Sequence, residues 1–212
     1  MLTIWGRTTS INVQTVMWAV GELGLEHERI DAGGIYGVVD TPEYRRMNPN
    51  GLVPVLQDGE LTMFESAAIV RYLGGQYGNE AFWPREARRR AALDVWAEWA
   101  KATFYPVITY DLFLPLVRQR PQERNKAALE AATVRMEKLA RIADERLADG
   151  GWLGGEALTF ADIMLGALLY RYFTLEFERA DTPHLEAYYR RLTGRPAYAQ
   201  HVMVSYESLR VK

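Results

Sequence analysis

The chain contains no cysteine. It therefore has no disulfide, no thiolate metal site and no cysteine nucleophile, and any sulfur chemistry it performs must arrive with a ligand. Histidine is almost as scarce: among 212 residues only His27, His184 and His201 occur, with no H-E-x-x-H spacing. The phosphate-cradling patterns G-x-x-x-x-G-K-[ST] and G-x-G-x-x-G are missing too. So is any long uncharged apolar run: the most apolar stretch, "ALTFADIMLGALLYRYFTLEF", is interrupted by Asp162 and Arg171, which fits a buried helix and argues against a membrane span.

Charge of one sign is also lacking. Lys and Arg number 25 against 27 Asp and Glu, for a net charge of -2, so nothing points to a nucleic-acid partner. The one basic run, "REARRR" at 85–90, is flanked by acidic residues, opens a helical pattern and reads as a solvated face. The N-terminal "MLTIWGR" runs straight into strand-like sequence without the features of a targeting peptide, and a cytoplasmic location is expected.

What is present divides the chain in two. From residue 1 to 78, short pieces alternate in the order βαβαββα. "LTIW" and "HERID" read as strands around the helix "NVQTVMWAVGEL", "TPEYRRM" as a short helix, and "VPVLQDGELTMF" as a hairpin turning at Asp58-Gly59. "SAAIVRYLGGQYG" is a helix that stops at glycine. After a linker at 79–86, residues 87–212 show only helical periodicity. Leu93, Trp96, Trp99 and Thr103 share one face, as do Leu129, Met136, Leu139, Ala143 and Leu147 before Gly150-Gly151. The expected fold is a two-domain α/β plus all-α chain, with a helical bundle in the second half. Within that half, Thr159-x-x-Asp162 ahead of an apolar run is a capping box.

Three stretches carry candidate chemistry. In "NPNGLVPVL", Pro54 lacks a ladder donor and belongs at a strand's first position or in a cis turn. A cis Val53-Pro54 bond would turn the N–H and C=O of Val53 outward, where an extended peptide could pair with them; alone, the motif equally fits a plain turn before an edge strand. In "FESAAIVRYL", Ser66 is placed to cap the following helix, whose N-terminus attracts a carboxylate, while Glu65 could hold an ammonium. Together they suit the zwitterionic end of an amino acid; alone, they fit an ordinary cap.

In "WGRTTSINVQTV", Ser10 and Asn12 stand where the first helix begins, a position that favours an anion and would stabilise a bound thiolate. A free thiol has a pKa of about 8.5, and lowering it by about 2 units takes roughly 2.7 kcal/mol, within reach of one or two charge-assisted hydrogen bonds plus the helix dipole. Simple N-capping would also explain an isolated Ser-x-Asn. Serine is scarce, however: of Ser10, Ser66, Ser205 and Ser208, two open helices in the strand-helix half. A nucleophilic serine would need a base and a G-x-S-x-G elbow, and the sequence supplies neither.

Taken in order, "SINVQTV", "NPNGLVPVL", "FESAAIVRYL" and "LTFADIMLGALL" closely resemble the cytosolic glutathione transferases over nearly the whole chain, above all a bacterial branch with serine at the N-terminal site. The resemblance implies a thioredoxin-like N-terminal domain that binds glutathione, an α-helical C-terminal domain and a homodimer. Glutathione would be the co-substrate, no metal would be needed, and the second substrate would be a small, hydrophobic electrophile. Ser10 matches the group that contacts the glutathione sulfur, and Asn12 the second member of a threonine-x-asparagine pair. Val53 and Pro54 match the residues at the cis-proline, and Glu65 with Ser66 match the γ-glutamyl site. "WGRTTS" leaves no tyrosine where tyrosine-type relatives have their catalytic one. Leu52 stands where many relatives carry a lysine or arginine for the glycine carboxylate, and Arg45 and Arg46 lie near it in sequence. Aromatic residues Trp5, Tyr36, Tyr105 and Tyr110 are candidates for the acceptor pocket. The same fold could direct the thiolate to peroxide reduction, dehalogenation or isomerisation, or serve as a non-catalytic binding or scaffold protein.

Overall fold

The computed structural model describes residues 1–211. Its first half is a mixed four-stranded sheet whose strands lie side by side in the order 27–30, 2–5, 55–58 and 61–64. Strand β1 (Leu2–Trp5) buries Leu2 and Ile4 on one face by simple alternation. Helix α1 (Ile11–Glu22) carries the chain over to β2 (His27–Ile30), which pairs parallel to β1. After the short α2 (Pro42–Met47), strands β3 (Val55–Asp58) and β4 (Leu61–Phe64) form an antiparallel hairpin, with β3 against β1, and α3 (Ser66–Tyr77) follows. This is the βαβαββα order and the thioredoxin-like fold expected from the sequence. Asp58 still pairs with Leu61, so the hairpin loop is Gly59-Glu60, one residue later than anticipated.

The remainder is helical: α4 (Ala87–Trp99), α5 (Leu114–Arg118), α6 (Lys126–Arg146), α7 (Phe160–Thr174), α8 (Pro183–Thr193) and α9 (Pro196–His201). Between α4 and α5 the helix does not break. Residues Ala100–Phe104 and Val107–Phe113 take wider π-helical turns on either side of Pro106, whose missing N–H removes one α-helical bond. The buried face here runs through Leu93, Ala97, Ala100 and Phe104, while Thr103, expected on it, is exposed. The alanines mark the line of close approach to α7, and the bulky Trp96 and Trp99 sit beside that line, half-buried. Helix α6 ends at Arg146, short of the glycines, and the chain turns back through Gly150 at φ +78°.

The two halves share one continuous core. Helix α1 is buried along most of its length because α3, α7 and α9 all pack on it. Glu22 at its end accepts from Trp18 Nε1 (2.8 Å) and from Arg195 Nε of the helical half (2.7 Å). The capping box of α7 is formed: the buried Asp162 carboxylate accepts from the Thr159 N–H (2.8 Å) and hydroxyl (2.9 Å), the Leu153 N–H (2.8 Å) and the Tyr188 hydroxyl (2.9 Å). Burial raises its pKa and those four donors oppose the rise. The functional consequence is a rigid α1, whose N-terminus faces the cleft between the halves. Among the described residues, no helix is long and apolar enough to cross a membrane.

Candidate active site

The cleft is reached from β1 through Gly6, whose φ of +156° comes with a tight approach: a Cβ there would lie 2.3 Å from Val13 Cγ2. This bend carries Arg7, Thr8 and Thr9 outward and returns the chain at Ser10, the N-cap residue of α1. The Ser10 hydroxyl makes no cap hydrogen bond although the residue is buried and in the cap position. Its oxygen is thus free beside the unsatisfied N–H groups and positive dipole end of α1. Ser10 lines a cavity of about 350 Å³ together with Asn12 and Val53.

A second cavity, of about 310 Å³, adjoins it and shares Asn12, Leu52, Val53, Tyr105 and Tyr110 with the first. The Val53-Pro54 bond is cis, and Val53, Pro54, Glu65 and Ser66 all line this second cavity. Ser66 is the first residue of α3, and the cap position belongs to Glu65, in contrast to the sequence expectation. The Ser66 hydroxyl is turned sideways and donates to Asn12 Oδ1 at 3.1 Å. Glu65 adopts φ +69°, ψ +108°, a conformation costing about 1–3 kcal/mol that persists where surroundings impose it and recurs at ligand clamps.

The sequence pairs Asn12 with Ser10, but residues two apart on a helix do not share a face. The Asn12 amide accordingly turns to the second cavity. Its oxygen accepts from Ser66 and from Lys101 Nζ (3.0 Å), and its nitrogen donates to the Tyr105 hydroxyl at 3.3 Å, leaving one N–H for a ligand. Lys101 also lies 3.3 Å from Ser66 Oγ and 4.5 Å from the centre of the Tyr105 ring. Burial lowers its pKa, while Glu65 and Glu98 act to raise it. Sequence reasoning missed Lys101; its one signal was an isolated cation in the otherwise apolar "WAKATFYPV". Burial pushes the Tyr105 phenol up to about 12, so it is a neutral donor near pH 7 and no base.

The 350 Å³ cavity has a cationic wall, also unanticipated. Arg7, Arg118 and Arg171 line it, with no Asp or Glu among the lining residues. Arg171 is buried on α7, donates to the Thr9 carbonyl at 3.1 Å and places its guanidinium carbon 3.7 Å from the centre of the Phe113 ring. Burial lowers its pKa to about 10, against the pull of Tyr105 and Tyr206, and Arg7 adds repulsion; the group remains charged at neutral pH. Burial and then Arg118 lower Arg7 in the same way. Gly33 and Gly34, at φ +76° and +62°, leave room for Arg7: a Cβ at either would sit 3.1–3.2 Å from its side chain.

The other candidates are placed as follows by the fold. Leu52 is exposed, and its carbonyl accepts from the Tyr44 hydroxyl and Asn48 Nδ2. Arg45 pairs with Asp40 and Arg46 with Glu43, both at the surface. Tyr105 and Tyr110 line both cavities, whereas Trp5 packs edge-on against Tyr44 and Tyr36 is exposed on a turn. His27 and His201 share a separate cavity with Arg29, and His184 sits near the start of α8. In "REARRR", Glu86 caps α4 through the N–H groups of Arg88 and Arg89. Among the described residues, no group of three or more His, Asp or Glu could hold a metal ion.

Two family models match the chain: "Glutathione S-transferase, N-terminal domain" over residues 5–81 and "Glutathione S-transferase, C-terminal domain" over 104–196. Glutathione S-transferase GstB of Escherichia coli (strain K12) is 37% identical over 206 residues, which cover 96% of this chain and 99% of that one. Glutathione S-transferase 3 of Zea mays is 31% identical, covering 95% and 93%. Among solved structures, the theta class glutathione S-transferase of Xanthomonas axonopodis pv. citri with glutathione bound superposes with a TM-score of 0.91 at 44% identity, covering 96% of this chain and 98% of that one.

Proposed function

Because the chain belongs to the glutathione S-transferase family and is a glutathione-using transferase, we propose that its first 78 residues hold glutathione in the two joined cavities, with the sulfur at Ser10. The tripeptide runs along the Val53 edge, pairing its cysteinyl backbone with the N–H and C=O of Val53 beside Pro54. Its γ-glutamyl ammonium meets Glu65. Its γ-glutamyl carboxylate meets Ser66 and the start of α3, with Lys101 from the helical half (residues 87–212) adding a positive charge. Asn12 is a positioning residue that holds Ser66 and Lys101 in register.

At the other end, the Ser10 hydroxyl donates to the sulfur while the α1 N-terminus supplies positive potential. The thiol proton passes to water. The resulting thiolate lone pair forms a C–S bond to an electrophilic carbon of a small second substrate, and a leaving group departs with its bonding electrons. No histidine relay is required. The observation that carries this reading is the Ser10 hydroxyl itself: it occupies a cap position without capping and faces a cavity continuous with Val53. The solved relative that is 44% identical has glutathione bound, which supports the same occupant here.

The working assembly we propose is a homodimer in the cytoplasm, to be checked by light scattering on the purified chain and by cell fractionation. For the site, glutathione binding is measured by calorimetry and conjugation with a general aryl halide. Replacement Ser10→Ala is expected to cut kcat/KM at least about tenfold while binding persists. Unchanged kcat/KM would remove Ser10 from the mechanism. A parent chain that neither binds glutathione nor conjugates would instead favour a scaffold role.

A further inference from the structure

We propose that Arg7, Arg118 and Arg171 form a receiving site for an anionic group on the second substrate, so that the preferred electrophile is a small carboxylate and not a neutral hydrophobic molecule. This inference rests on the transferase reading and specifies its acceptor. Three cations line one cavity in a chain whose net charge is -2, and the lining contains no Asp or Glu. Among the described residues, none of the three is in a salt bridge. Bringing guanidinium groups together without a carboxylate is unfavourable through both desolvation and mutual repulsion, and a bound anion relieves both.

A second observation points the same way. The Thr109 hydroxyl, on the same cavity wall, is buried and has no hydrogen-bond partner among the described residues. Apolar Ile11, Val39, Phe113 and Leu114 on the same wall are available for the body of the acceptor. Ser10 lies in the same lining, so an acceptor anchored by its anion at the arginines reaches the sulfur within one cavity. Arg171 also fixes the Thr9 carbonyl next to Ser10, so its removal would disturb the sulfur site; the test therefore uses Arg118, which is exposed at the mouth, and Arg7.

Glutathione has a carboxylate of its own at the glycine end, and the experiment must separate it from the acceptor's. The probes are 4-chloro-3-nitrobenzoate and 4-chloro-3-nitrobenzamide, near-isosteres that differ in charge. Each kcat/KM is divided by the probe's uncatalysed rate with glutathione. The expected result is a preference for the benzoate of at least about tenfold that falls at least about fivefold in Arg118→Gln and in Arg7→Gln, with the KM for glutathione moving less than about twofold. Equal handling of the two probes by the parent chain would overturn the proposal. So would loss of both probes in parallel with a raised KM for glutathione, which would put the arginines on the glycine carboxylate. If neither probe reacts, calorimetry with unreactive 3-nitrobenzoate and 3-nitrobenzamide decides the anion site: a tenfold preference for the benzoate upholds it, and equal affinity ends it, while glutathione binding and conjugation of the general aryl halide test the transferase reading separately.

Discussion

Lys101 Nζ lies 3.0 Å from Asn12 Oδ1, which joins a cation of the helical half to the first turn of α1 in the strand-helix half. The same Asn12 oxygen accepts from Ser66, so the three side chains form one unit at the γ-glutamyl end of the proposed glutathione site. Replacement Lys101→Met should raise the KM for glutathione about tenfold and change kcat less than about threefold, because the charge holds the tripeptide at a distance from its sulfur. Steady-state kinetics with glutathione as the varied substrate make the distinction. A fall in kcat at unchanged KM would move Lys101 from binding to chemistry.

Asn12→Ala should behave as a positioning change. It releases both Ser66 and Lys101, so its effect and that of Lys101→Met will not add: the double variant should bind glutathione within about threefold of the weaker single variant. Calorimetry on the four chains checks this, and full additivity would show that the two residues act separately.

Two cap positions that both carry a hydroxyl residue should respond in opposite ways. Thr159 accepts from the Ala161 N–H and the fully buried Asp162 takes four hydrogen bonds, so Thr159→Ala should cost about 1 kcal/mol of stability and Asp162→Ala about 2–4 kcal/mol, with the KM for glutathione unmoved. Ser10 makes no cap bond, so Ser10→Ala should leave stability within about 0.5 kcal/mol while activity falls. Urea denaturation of the three variants separates a folding cap from a hydroxyl kept free for a ligand.

Acid should weaken the fold through His201. Burial first, then the nearby His27 and Arg29, lower its pKa below the ordinary 6.5. Between that lowered value and about 6.5 the unfolded chain binds more protons than the folded one, so stability is present above the unfolded value and is lost as pH falls through this window. Urea midpoints at about pH 7.5, 6.5 and 5.5 should decline, and His201→Gln should flatten the decline. An equal slope in both proteins would remove His201 as a cause.

The strands, the helices and the cis-capable Val53-Pro54 pair were legible because each is written in neighbouring residues: alternation in "LTIW", a glycine stop after Tyr77, proline at the mouth of β3. Thr159 and Asp162 were legible for the same reason. Ser10, Glu65 and Ser66 were candidates by type and position, while their side-chain directions were not legible. Whether Ser66 caps a helix or turns to Asn12 depends on a residue 54 positions away. Lys101 and Arg171 stood out locally only as isolated cations in apolar stretches; their partners Asn12 and Thr9 lie 89 and 162 positions distant, so the cleft they face was not legible. The arginine wall could not be read from the sequence because Arg7, Arg118 and Arg171 come from three separate segments that only the fold brings together.

Sulfur ionisation at Ser10 is the step on which the proposed transfer depends. The most direct measurement follows the ultraviolet absorbance of the thiolate in the glutathione complex as pH is varied. The expected midpoint is lowered by about 2 units from the free thiol's value of about 8.5, with much of the shift lost in Ser10→Ala. A midpoint in the complex equal to that of free glutathione would contradict it.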